Sequence, residues 1–129
     1  MKTVAIAGLF ALSSGTVLAN TNALKNPVNG LPEPGSFEVV TKWTVKTDYI
    51  WCAAAQAALQ RGARYKDRIY VVHGLGPSRT MPGENAVGFT YRPDASLRSR
   101  ATSGSSLQSV GNNMSVSQGN RRCVRELDG

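Results

Sequence analysis

The side chains with the most intrinsic chemistry in this sequence are a single histidine, His73, and two cysteines, Cys52 and Cys123. Cys52 lies early in a stretch with helical spacing, and His73 ends a run of β-branched and aromatic residues. A thiolate near a helix N-terminus, with a histidine placed to take its proton, is what a nucleophilic hydrolase needs. A second chemistry competes for the same sulfur. Cys52 and Cys123 are the whole cysteine complement, an even count, and in an oxidising compartment such a pair forms a disulfide. That bond closes a long loop, and loop-closure entropy gives it roughly 4 kcal/mol of stabilisation. One histidine and two cysteines make a closed zinc site dependent on carboxylates from scattered positions, so no metal and no cofactor is expected.

The Cys52–His73 layout resembles that of papain-like cysteine hydrolases, with two departures. The residues around Cys52 do not match the local signature of that family, and no third residue is evident to orient the histidine. The disulfide is therefore the leading expectation and the hydrolase the runner-up. Gly74-Leu75-Gly76-Pro77-Ser78 follows a strand pattern, as phosphate loops do. It lacks their lysine and opens no helix, so a hairpin connection is the better reading. Arginines form two clusters, Arg92, Arg98 and Arg100, then Arg121, Arg122 and Arg125. Guanidinium groups pair with phosphates, which makes the second cluster a candidate polyanion site. Neither cluster interleaves the aromatic side chains on which single-stranded bases stack, so solvated surface is preferred and nucleic acid is not the favoured partner. Asn113-Met114-Ser115 is a glycosylation sequon, with meaning only in a eukaryotic source.

These groups need elements to position them. Thr47 to Gly62 (TDYIWCAAAQAALQRG) predicts a helix. Thr47 or Asp48 can cap it, alanine and glutamine favour it, and Gly62 can take the left-handed conformation that ends it. Trp51, Ala54, Ala55, Ala58 and Leu59 recur on one face, with Cys52 beside it. The alanines should let a sheet approach the helix closely. Phe37 to Thr44 reads as a strand, with Phe37, Val39 and Thr41 facing one way and Glu38, Val40 and Lys42 the other. Arg68 to His73 is the strongest strand, expected to place Ile69, Val71 and His73 together on one face. Ala86 to Tyr91 is a third strand, and Asn113 to Ser117 a short last one. Asn20 to Gly35 reads as a flexible leader and 94–108 as a mobile, serine- and arginine-rich loop. Gln118 to Leu127 is either a terminal helix or a segment pinned only by Cys123. The order β-α-β-β-β predicts an α+β domain over 36–129, with one helix on a mostly antiparallel sheet of three to four strands.

Met1-Lys2, the apolar run Val4 to Leu12 and the small residues Val17-Leu18-Ala19 make residues 1–19 a secretory signal, with cleavage expected after Ala19. The run is too short to span a bilayer. Removing 1–19 from the 129 residues leaves 110, and the net charge falls from +7 to +6 because Lys2 departs. That size suits a single small domain. The charge could attract polyanions or acidic lipid, although it also serves simply to keep a secreted protein in solution. The pieces SFEVV, DYIWCAAAQAAL, RIYVVHGLGPS, AVGFTY and NNMSVSQGNRRC resemble, in that order, small exported proteins of unknown function from alphaproteobacteria. The resemblance implies a periplasmic or secreted address and no activity. The sequence thus predicts an exported, disulfide-stapled module with a binding or structural role. Its alternatives are a Cys52–His73 hydrolase and, more weakly, a polyanion binder using Arg121, Arg122 and Arg125.

Overall fold

The computed structural model describes residues 25–128, and the side chains of 25–123. The expected signal at 1–19 and its cut after Ala19 lie outside the described residues. In chain order the elements are β1 (Val28–Gly30), β2 (Ser36–Val40), α1 (Thr47–Gln60), β3 (Arg68–Pro77), β4 (Asn85–Thr90), α2 (Ala95–Ser99), β5 (Thr102–Ser103), β6 (Asn112–Ser115) and α3 (Val116–Asp128). The six strands form one sheet in the order β1-β2-β4-β3-β6-β5. Every pairing is antiparallel except that of β5 with β6. The fold is α+β, as expected, but the sheet is larger than three to four strands. The two extra strands are its edges, of three and two residues. Val28-Asn29-Gly30 and Thr102-Ser103 are too short and too polar to show an alternating pattern.

One face of the sheet is covered by helices. Phe37, Val39, Ile69, Val71, Val87 and Phe89 turn toward them and are fully buried. Trp51 of α1 meets Phe89 edge-on at 5.2 Å between centroids, and Phe37 stacks on Phe89 at 5.9 Å. The indole N–H of Trp51 donates to the Ser105 carbonyl at 2.8 Å, which satisfies its polar edge.

Helix α1 is buried nearly all round, from Ile50 through Ala58 except for Gln56. The sheet explains one side of this. The other side is α3, which runs antiparallel to α1 and touches it through Asp48–Arg122, Cys52–Cys123, Ala55–Gly119 and Gln56–Asn120. The alanine face therefore admits a second helix as well as a sheet. A Cβ on Gly119 would sit 2.9 Å from the Ala55 Cβ and 3.1 Å from the Trp51 carbonyl oxygen, so this crossing needs a glycine. The disulfide Cys52–Cys123 spans 71 positions with its Cα atoms 5.0 Å apart.

Three local expectations are corrected. The N-cap of α1 is Lys46, with no side-chain hydrogen bond, rather than Thr47 or Asp48. Asp48 lies in the first turn and pairs with Arg122 at 3.1 Å, so its carboxylate serves helix packing. Residues 25–35, read as part of a flexible leader, hold β1, and the Asn26 side chain is buried. Residues 94–108, read as a mobile loop, carry α2 and β5 and bury Leu97 and Leu107. At the other end of α1, Gly62 has φ 101°, as its role in ending the helix requires. The C-terminal segment is helical: α3 begins at Val116, and the Arg125 side chain lies outside those described.

Candidate functional site

Among the described residues the other face of the sheet carries no long helix, and its residues follow from register. Residues directly opposite one another in a sheet share a face. Phe37 and Val71 both oppose Phe89 on the helix side. Glu38 and His73 both oppose Gly88, on the open side. His73 is there because β3 carries a bulge between Val71 and His73. Val72 is the extra residue, and an extra residue reverses the alternation beyond it. His73 is therefore not on the face of Ile69 and Val71, where strict alternation placed it. The bulge is not visible as a periodicity, because it interrupts one.

A row of Glu38, Gly88 and His73 thus crosses three adjacent strands. Gly88 is a notch between the Glu38 and His73 side chains. A Cβ there would lie 2.8 Å from the His73 Cδ2 and 3.1 Å from its Cβ. Glu38 is almost wholly buried and fully engaged. The hydroxyls of Ser78 and Thr80 and the backbone N–H groups of Arg79 and Thr80 all donate to its carboxylate. Burial alone would push this carboxyl up, but those four donors outweigh it and hold the carboxyl below its ordinary value. With its lone pairs occupied, Glu38 fixes the 78–80 turn and is not available as an acid or a base. That turn aims Arg79. Its guanidinium pairs with Glu33 at 3.1 Å and approaches the His73 Nε2 at 3.2 Å. An arginine can only donate, so the contact is a hydrogen bond when that ring nitrogen carries no proton. The Arg79 hydrogen bonds, foremost among the influences on Glu33, hold its carboxyl below the usual range.

Two connected recesses lie along this face. The smaller, about 290 Å³, is bounded by Glu38, His73, Arg79 and Gly88. The larger, about 470 Å³, is lined by His73, Thr90, Arg92, Asp94, Leu97 and Arg100, among others. Both contain Val72, His73 and Val110, so they form one groove with His73 at its middle. The ion pairs among the described residues are Arg64–Asp67, Arg79–Glu33 and Arg122–Asp48, so neither Arg92 nor Arg100 forms a direct ion pair, although the Glu33 and Asp94 carboxylates line the same recess. The Asp94 carboxylate accepts from the Leu97 N–H and caps α2. The chemistry on offer is two guanidinium donors and an imidazole, above a floor containing Val72 and Leu97, while the buried Thr90 hydroxyl is taken up by the Gly35 carbonyl and the Arg92 N–H.

The site residues expected from sequence are not gathered at one place. Cys52 is fully buried on the helix side, and its sulfur is bonded to Cys123. His73 stands exposed on the opposite face. The structure thus does not bring thiol and imidazole together, and no cysteine is free among the described residues. Of the second arginine cluster, Arg122 is tied to Asp48 and Arg121 is exposed, while the Arg125 side chain lies outside the description. A further recess of about 500 Å³ includes Arg68 and Arg122, but Arg68 is already held by Asn113 at 2.6 Å. Gly74 to Pro77 continues β3 and forms no phosphate cradle. Asn113 is a paired strand residue whose amide donates to the Thr102 and Gly111 carbonyls, a poor glycan acceptor. Among the described residues no cluster of three or more His, Cys, Asp or Glu could hold a metal ion, and no helix is long and apolar enough to cross a membrane.

Sequence reasoning missed Glu38 and Arg79. The signal available was a glutamate set between Phe37 and Val39 in a strand that is otherwise mostly apolar. Comparison with known proteins finds no matching family model, no matching curated protein and no matching solved structure.

Proposed function

We propose that this chain is an exported, disulfide-stapled binding module, and that it takes a small carboxylate- or phosphate-bearing ligand in the groove around His73. The carrying observation is the pairing of an open recess with two exposed arginines, Arg92 and Arg100, that form no direct ion pair among the described residues. Guanidinium groups recognise planar carboxylate and phosphate oxygens through paired donors, and both arginines are exposed to an incoming ligand. The imidazole supplies a further hydrogen bond, and Val72 and Leu97 supply apolar contact, the usual composition of a small-ligand site. Export is supported by the signal pattern of residues 1–19 and by a structural disulfide, which persists in oxidising compartments.

Thermal unfolding in inorganic phosphate and in succinate, at matched ionic strength, tests this reading. A ligand that binds only the folded state raises the midpoint in a concentration-dependent way. One of the two anions should do so, and Arg92→Gln together with Arg100→Gln should abolish the shift. Arg121→Gln, on the helix side of the molecule, should leave it intact. No shift with either anion, or an equal shift in all variants, would count against the groove.

A further inference from the structure

A different surface carries an inference independent of the groove. The connection between β2 and α1 reads Lys42-Trp43-Thr44-Val45-Lys46, and Trp43 is 65% exposed and Val45 59% exposed. A large ring and a branched aliphatic chain left in water within three residues call for an explanation, because both gain free energy on burial. Loose packing is not the explanation. The buried Asn26 side chain accepts from the backbone N–H of Trp43 at 2.7 Å and of Thr44 at 3.2 Å, and donates to the Thr44 carbonyl at 3.0 Å. The Thr44 hydroxyl in turn accepts from the Lys46 N–H at 3.1 Å. Four hydrogen bonds, three of them to one buried amide, hold the loop in the shape that presents Trp43 and Val45.

The charge around them has one sign. Lys25, Lys42 and Lys46 are all exposed, and the Lys25 ammonium lies 5.7 Å from the Trp43 ring centroid. Lys46 stands 5.3 Å from the Tyr49 ring, at the start of α1. The carboxylate nearest along the chain, Asp48, is paired with Arg122. Tryptophan is the side chain that settles at the level of lipid headgroups, its ring among acyl carbons and its N–H among polar groups. Lysines beside it reach anionic headgroups while their stems lie along the apolar surface. Nucleic acid fits less well, since one exposed ring offers no succession of stacking platforms.

We propose that the Lys42–Lys46 loop docks this protein on an anionic lipid surface, with Trp43 and Val45 entering the headgroup region and Lys25, Lys42 and Lys46 holding phosphates. The two signals, apolar and electrostatic, are what reversible peripheral attachment requires. The test is sedimentation of the protein with vesicles of phosphatidylcholine alone and with added phosphatidylglycerol, together with its tryptophan emission. Trp51 is fully buried, so a change in emission on binding reports Trp43. Binding should need the anionic lipid, weaken with salt and move the emission to the blue. Trp43→Ala should weaken it tenfold or more, and Lys42→Gln with Lys46→Gln should weaken it and flatten its salt dependence. No binding to the anionic vesicles, binding unaffected by Trp43→Ala, or retention on heparin without vesicle binding would each overturn the assignment.

Discussion

Glu38 illustrates how much one carboxylate can organise when its surroundings are all donors. It accepts from two hydroxyls and two backbone N–H groups of the 78–80 turn, and so places Arg79 over His73. Because its native pKa is depressed, folding favours the ionised form. The stabilisation is then fully present above the ordinary glutamate value of about 4.3 and is lost as pH falls through the lower native value. Glu38→Gln should destabilise by about 1–3 kcal/mol near neutrality, since the amide cannot accept from the same four donors. Denaturant titrations across pH should show that deficit shrinking below the glutamate range, where the parent protein loses the same contribution. A deficit independent of pH would mean that the side chain's shape matters and its charge does not.

At the scale of elements, the informative piece is the crossing of α1 and α3 at Gly119. By helix propensity alone, replacing a glycine inside a helix with alanine gains about 1 kcal/mol. Here the new methyl would meet Ala55 at 2.9 Å and the Trp51 carbonyl at 3.1 Å, one of them backbone. Overpacking of this kind costs about 1–3 kcal/mol, so packing outweighs propensity and Gly119→Ala should lower stability. Chemical denaturation reads the sign directly. The same contest explains what was legible in the sequence. The helix 47–60 and the three central strands stand out, because Trp51 and the alanines repeat with helical period and Phe37, Val39, Val87 and Phe89 alternate. The edge strands β1 and β5 bury too little apolar surface to leave a pattern. Gly119-Asn120-Arg121-Arg122 leaves a helix as only one of two readings of 118–127, because the inward residues of α3 include a glycine that serves closeness instead of hydrophobicity. The groove was half legible. His73 and Arg92 and Arg100 are visible as residue types, but only the Val72 bulge puts His73 on the open face.

For the whole molecule, the disulfide and the helix pair are one device. Both cysteines are buried where α1 meets α3, and the bond ties the last described helix to the first. Cys52→Ser and Cys123→Ser should each lose roughly 4 kcal/mol, and the double variant should be no worse than either single. Thermal midpoints of the three variants, with iodoacetamide labelling of native oxidised protein, check this. Rapid labelling of Cys52 would reopen the hydrolase. The position of α3 also has a consequence in time. Polypeptides are made from the N-terminus onward. Helix α1 therefore emerges well before the partner that covers its second side, and Cys52 must wait as a thiol while the middle of the sheet is delivered. Closure of the bond requires Cys123 to have arrived, so a chain stalled before it retains a thiol at Cys52 and a face of α1 that α3 does not cover.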